Sequence, residues 1–358
     1  MGPLRCISSS LLCAGVLASA GYCAYRYGPW YAQSGDDSPG TASDLTAANA
    51  CEGCCNGLAS SCDLRVNEVL FPMVHNAMSS RNDLFAAYNN IESLERALVA
   101  GYRGLMLDSC ICDGTSIGQE AQNIIRGEGD KGESYLGFCH TTCLAGVRDP
   151  AKVLGNIKTF LDVNRNEVLM IEFEVIDGSL TQLHSAIDES GLDQYVYTRS
   201  EGTATGEWPT LQSLIDANTR LIIFAHGDGM DYCCESDTCP EGMFYTYDHI
   251  EQTNWNDATC DVMGEDFDSK IDFFLMNHWM NEPETDLPFE GNADEFNSFN
   301  SLLERFKLCT ERMPNIVAVD FWSIGDVLDF VKEVNQNKAG GSTTASETMP
   351  AIEEGGEN

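Results

Sequence analysis

Three short stretches place side chains that can exchange protons at the ends of apolar runs: Val74-His75-Asn76, Phe138-Cys139-His140 and Val319-Asp320. Imidazole gains and loses a proton near neutral pH. Carboxylates beside it can fix its tautomer or, grouped, hold a divalent cation. Asp108, Glu172, Glu174, His226 and His278 end similar runs. The stretch "GFCHTTC", Gly137 to Cys143, sets His140 beside a cysteine, with a second cysteine four residues after the first. By itself it reads either as a disulfide-stapled surface loop with an incidental histidine or as a catalytic loop.

Something must bring these residues together. Strand-like runs are expected at Glu68–His75, Gly104–Ile111, Tyr135–His140, Val168–Val175, Leu221–His226, Met243–Tyr247, Asp272–His278 and Ile316–Trp322. Amphipathic helical stretches lie between several of them: "IESLERALVAG", "PAKVLGNIKTFLDVN", "LTQLHSAIDESG", "PTLQSLIDAN" and "FNSLLERFKLC". This alternation predicts an α/β fold, a parallel (β/α)8 barrel of the TIM type. An open doubly wound sheet is the other arrangement it allows. In a barrel, the C-terminal strand ends converge on one face, where such enzymes build their sites. Of the six histidines, only His184 sits inside an expected helix.

The chain has 358 residues, enough for one large domain or two small ones. Its 56 acidic against 20 basic residues, a formal −36, repel nucleic acid and anionic membranes at long range. No nucleic-acid partner is expected. Arg5, the apolar run Ile7–Leu17 and Ala18-Ser19-Ala20 read as a signal peptide over 1–20, with an uncleaved anchor over 7–25 as the competing reading. Either one delivers the body to an oxidising lumen or the cell exterior. Residues 21–50 read as a flexible linker, 51–337 as a single barrel domain and 338–358 as a disordered acidic tail. Cysteines at 51, 54, 55, 62, 110, 112, 139, 143, 233, 234, 239, 260 and 309 read as a disulfide framework. Cys51-Glu-Gly-Cys54 has zinc-like spacing but no second ligand pair to complete a site.

Some motif matches lack their structural context. Gly127-Glu-Gly129-Asp-Lys-Gly132 fits GxGxxG but joins no strand to a helix, and Gly114-Thr-Ser116-Ile-Gly118 fits a serine-hydrolase elbow beside two cysteines. Asp228, Asp231 and Asp237 lack the spacing of a calcium loop.

In order, "FPMVHNAMSS", "GYRGLMLDSCICDG", "FCHTTC", "NEVLMIEFE", "WPTLQSLI" and "PNIVAVDFW" resemble the X domain of phosphatidylinositol-specific phospholipase C, and within it the secreted, cysteine-rich branch of PLC-like phosphodiesterases. The resemblance covers about Cys51 to Val334. It implies a distorted TIM barrel with two catalytic histidines, His75 as general base and His140 as general acid, and it suggests a Cys139–Cys143 staple on the His140 loop. Asp320 would hold one imidazole in its reactive tautomer. The family's calcium pattern maps onto Asn76, Asp108 and Glu172 or Glu174, while Met106 stands where a further second-strand acid would be. A divalent cation, Ca2+ by this pattern, is therefore expected with an incomplete ligand set. His226, His278 and Trp322 are candidate substrate contacts. Trp279 is weighed between ring stacking and plugging the barrel mouth, and Arg103 is read as a structural ion-pair partner.

The expected function is hydrolysis of a phosphodiester, such as an inositol phospholipid, by a secreted or lumenal enzyme that meets a membrane only through its substrate or an uncleaved anchor. Two other functions fit the same barrel. A glycerophosphodiester phosphodiesterase needs the acidic pair that Met106 breaks, and a catalytically inactive binding module needs neither histidine.

Overall fold

The computed structural model describes residues 44–48, 51–114, 134–176, 180–199, 207–227, 240–263, 271–309 and 312–339. Its strands are β1 (Phe71–Val74), β2 (Gly104–Asp113), β3 (Ser134–Cys139), β4 (Val147–Arg148), β5 (Leu169–Val175), β6 (Leu221–Gly227), β7 (Met243–Tyr245), β8 (Ile250–Gln252), β9 (Phe273–His278) and β10 (Ile316–Val319). Eight of them run parallel in the order β7-β6-β5-β2-β1-β10-β9-β8, a sheet curled towards a barrel and, among the described residues, left open between β7 and β8. On β8, the segment 261–263 doubles back: Met263 N donates to Gln252 O, and Asn254 N to Asp261 O.

The third expected stave is not one. Tyr135–His140 falls mainly in β3, which lies antiparallel on the extended second half of β2, with Cys110 opposite Gly137, and β4 returns antiparallel on β3. A segment following β2 by a reversal cannot be a parallel neighbour, because a parallel connection needs a crossover. The eighth stave is instead β8, a three-residue strand that leaves too short an apolar run to be recognised in the sequence.

Alternation of side chains assigns the two faces. Phe71, Met73, Met170, Ile222, Phe224, Phe273, Leu275, Ile316 and Ala318 fill the interior, with Met106 packed against them. Val74, Leu105, Leu107, Ile171, Phe173, Ile223, Val317 and Val319 face outward onto the helices. The five expected helical stretches form Leu94–Ala100, Pro150–Val163, Leu180–Ser190, Leu211–Ala217 and Phe299–Leu308. Three of them are capped: the side chains of Asp149, Thr210 and Ser298 accept from the backbone N–H groups of Ala151, Ser213 and Ser301. A further helix, Val327–Ala339, buries Phe330, Val331 and Val334 and runs through residue 338, where a disordered tail was expected to begin. At Gly104 a Cβ would lie 2.7 Å from Met73 Cβ, so the missing side chain lets β1 and β2 pair at that height.

Arg103 anchors the base of β2. Its Nε donates to Glu167 at 2.7 Å, and Nη1 to the carbonyls of Leu98 and Tyr102 at 2.7 Å each. Cystines Cys51–Cys54, Cys55–Cys62 and Cys260–Cys309 brace the periphery. The first of these accounts for the zinc-like spacing without a metal.

The leader over 1–20, the anchor reading over 7–25, most of the 21–50 linker, the tail beyond residue 339, all but Gly114 of the two glycine motifs, and Asp228 to Cys239 lie outside the described residues. Among the described residues no helix is long and apolar enough to cross a membrane.

Arg103→Met should leave the Glu167 carboxylate buried and unpaired, lowering unfolding stability by about 3–5 kcal/mol. Arg103→Met/Glu167→Leu should regain much of that loss. Urea denaturation of the two variants checks both outcomes.

Candidate active site

The interior changes character at the C-terminal end of the sheet. Continuing the inward positions of β1, β2, β5, β6 and β10 brings up His75, Asp108, Glu172 with Glu174, His226 and Asp320, each two or four residues beyond an apolar partner of the same parity. Register places Asp108 beside Glu174 and Glu174 beside His226 across neighbouring strands.

His75 is held on two sides. Its Nδ1 lies 2.8 Å from Asp320 Oδ1, and its ring stacks on Trp279 with centroids 3.7 Å apart and planes 9° from parallel. Asp320 in turn accepts from Asn89 Nδ2 at 3.1 and 3.2 Å, so the carboxylate is fixed before it fixes the imidazole. Asn90 Nδ2 donates to the carbonyls of His75 and Asn76, and Asn76 turns through a left-handed backbone (φ 44°). Asparagine tolerates that conformation better than most residues.

That turn puts the Asn76 side chain at the centre of the site. With the amide oriented as its neighbours require, its nitrogen donates to Asp108 at 3.0 and 3.3 Å, and its oxygen lies 3.3 Å from both His75 Nε2 and His140 Nε2. Both imidazoles thus aim Nε2 at one point, while their Nδ1 atoms are occupied by Asp320 and, at 3.4 Å, by the carbonyl of Ala87. Burial, and then the neighbouring His75, hold the His140 pKa below the usual imidazole value, against opposing contributions from Ala87 O and Asp320.

The His140 loop is secured differently from expectation. Cys139 and Cys143 do not pair with each other: Cys110–Cys139 and Cys112–Cys143 tie the loop to β2 on both sides of the histidine. The antiparallel β2–β3 ribbon lays Cys110 and Cys112 alongside the loop, and these cross-strand partners leave none over for a bridge within it. Gly137 makes room, since a Cβ there would meet Val147 Cγ2 at 2.3 Å and Cys112 Sγ at 2.9 Å.

Opposite the histidines is an acidic wall. Burial, then Glu174 and Glu172, push the Asp108 carboxyl well above the usual carboxylate range. Glu172 is 1 % exposed, and neither of its oxygens has a hydrogen-bond partner; His226 Nδ1 lies 3.4 Å from Oε1, in ion-pair range. Asn76, Asp108, Glu172 and Glu174 are hard oxygen donors around buried, unbalanced negative charge, which fits a divalent cation in kind. They are loosely spread: among the described residues no three carboxylate or imidazole ligand atoms gather within 4.8 Å. Met106, across from Glu172 in register, contributes packing.

Two expected substrate contacts are elsewhere. His278 is out of phase with the inward positions of β9; it stacks on Phe296 at 4.2 Å, and its Nε2 meets Phe296 O at 2.8 Å. Trp322 turns back to the helical layer, edge-on to Tyr102, with Nε1 donating to Glu92 O. His226 is at the mouth beside the exposed Tyr247, ring centroids 5.2 Å apart. The sequence reading missed Asn89 and Asn90, whose neighbours give no pattern, and Tyr247. Trp279, which the sequence leaves between ring stacking and plugging the mouth, stacks on His75.

A sequence model of the family described as PI-PLC X 1 matches residues 125–335. A PI-PLC X domain-containing protein 1 from Arthroderma benhamiae is 27 % identical over 299 residues, covering 78 % of this chain and 89 % of that protein. A protein described as an uncharacterized secreted protein, from the same organism, is 24 % identical over 304 residues, 78 % of this chain and 62 % of the relative. In fold, the chain is similar to the phosphatidylinositol-specific phospholipase C from Listeria monocytogenes, with a TM-score of 0.50, 14 % identity, and coverage of 82 % of this chain and 98 % of that one.

The burial of His278 has a signature in pH. Desolvation lowers its pKa to about 3 in the fold, from 6.5. Between these values the unfolded chain binds a proton that the folded chain does not. Stability from this group is therefore complete above pH 6.5 and is lost as pH falls towards 3, by up to about 1.4 kcal/mol per pH unit. Comparing urea midpoints of the wild type and His278→Gln between pH 7 and 4 should show a shallower decline in the variant.

Proposed function

The chain belongs to the PI-PLC X-domain family, and from that premise we propose that it is a phosphoric diester hydrolase, cleaving an inositol phospholipid or a related phosphodiester by paired imidazole catalysis. The observation that carries this reading is the convergence of His75 Nε2 and His140 Nε2 on one end of the Asn76 amide, 3.3 Å from each. Two imidazoles facing a common point can take a proton from an attacking hydroxyl on one side of phosphorus and give one to the departing oxygen on the other.

In this reading His75 is the base. Its Nδ1–H is held by Asp320, which leaves Nε2 to accept the proton of the inositol 2-hydroxyl and stabilises the imidazolium that results. Trp279 keeps the ring in plane. His140 is the acid, its Nδ1 side turned to Ala87 O and its Nε2 towards the leaving alcohol. With its pKa depressed by burial, the protonated ring is a strong donor, and the negative charge of the bound phosphodiester favours that form.

The acidic wall opposes an anionic substrate. Asn76, Asp108, Glu172 and Glu174 would hold a divalent cation, Ca2+ by their all-oxygen character, which when bound supplies positive charge to the phosphoryl oxygens. The cystines and the secreted relative support an extracellular or lumenal setting.

The test is product release from phosphatidylinositol, glycerophosphoinositol and other phosphodiesters with calcium, magnesium or chelator present. Wild-type turnover is expected on at least one of them. His75→Ala and His140→Ala should each lower kcat by about 10²–10⁴-fold with circular dichroism unchanged. Absence of turnover by folded, disulfide-bonded protein would favour a binding module. Separately, isothermal titration of calcium without substrate should show Glu172→Gln weakening binding at least tenfold, roughly what even outer-shell partners contribute.

A further inference from the structure

Beside His140, the two cystines stand close enough to react with each other. The sulfurs of Cys110, Cys139 and Cys143 all lie within 4.8 Å of one another, so the Cys112–Cys143 bridge has one end against both atoms of the Cys110–Cys139 bridge. Access is unequal: Cys110, Cys112 and Cys139 are buried, and Cys143 is partly exposed. Thiol–disulfide exchange depends on which sulfur an incoming thiolate can reach.

We propose that Cys143 is a thiol-exchange site for an external dithiol, through which the two cystines are reduced and rearranged to a single Cys139–Cys143 bridge that releases the His140 loop from β2. One thiolate of the reductant attacks Cys143 Sγ, and Cys112 leaves as a thiolate that takes up a proton. The second thiolate of the reductant then closes the reductant's own disulfide and expels Cys143 as a thiolate. Cys143 attacks Cys139 Sγ, the bond to Cys110 breaks, and Cys110 is protonated. One dithiol becomes one disulfide, and the protein exchanges two cystines for one cystine and two thiols. Cys139 is the favoured target over Cys110 because only three residues separate it from Cys143, so the loop to be closed is short. The two thiols left behind are poorly placed to pair: positions 110 and 112 are alternate residues of one extended strand, about 6.6–6.8 Å apart, at the upper end of the span a disulfide bridges.

The released loop carries His140 away from the point it shares with His75. The loss of activity that follows rests on the catalytic reading of His140; the exchange itself does not.

The experiment treats the oxidised, full-length protein with about one equivalent of dithiothreitol, alkylates with iodoacetamide and maps proteolytic peptides without reduction. In the native state the peptide bearing Cys110 and Cys112 is cross-linked to the one bearing Cys139 and Cys143. The proposal expects these to separate, the first carrying two alkyl groups and the second an internal cystine, with turnover falling in parallel. Peptides that remain cross-linked with one alkyl group on each, or that separate with two on each, would overturn the exchange. Rearrangement with unchanged turnover would overturn the control of His140. If the oxidised protein turns over no phosphodiester, the catalytic reading has failed and the peptide map alone judges the exchange. Cys112→Ala/Cys143→Ala, whatever its basal rate, should lose all sensitivity of turnover to the dithiol.

Discussion

A parallel strand shows every second side chain to the barrel interior, and it is this two-residue period that assembles the site. Met73 leads to His75, Met106 to Asp108, Met170 to Glu172 and Glu174, Phe224 to His226 and Ala318 to Asp320. Below that level the apolar side chains must pack; above it the same parity carries polar groups, and the sheet delivers them to one place without any loop choosing their direction. A one-residue slip in any strand would turn its polar group into the helical layer. The strongly hydrogen-bonded base, with Arg103 and Glu167 at its centre, resists such a slip.

His278 and Trp322 illustrate the same constraint from the other side. Both end a strand-like run, and both looked equivalent to the residues that reach the site. His278 has the wrong parity, and Trp322 lies beyond the turn at Phe321, whose φ of 51° redirects the chain. Counting strand ends was sufficient to find the wall, but phase along each strand was needed to exclude outsiders. The helices were legible because their signals are local. The β3–β4 excursion was not, because its apolar run resembles a stave and only the pairing partner distinguishes them. Nor were the cystine partners legible, since connectivity is set by which strands lie side by side.

The excursion also explains why the two imidazoles differ. His75 leaves a stave of the barrel and is fixed by a carboxylate and a stacked indole, all supplied by the rigid sheet and its immediate loops. His140 leaves an appended ribbon and is fixed by covalent bonds instead. One histidine is positioned by packing and the other by cross-linking, so the two respond to different insults.

The opening between β7 and β8 bears on how the molecule keeps to itself. A sheet that does not close exposes edges on which another chain could add a strand. Here both edge strands are only three residues long, and on β8 the chain's own segment 261–263 already occupies part of the free side. An incoming strand would find too few backbone groups to hold, on a body whose charge of −36 repels every copy of itself. The barrel can stay ajar without becoming a template for aggregation.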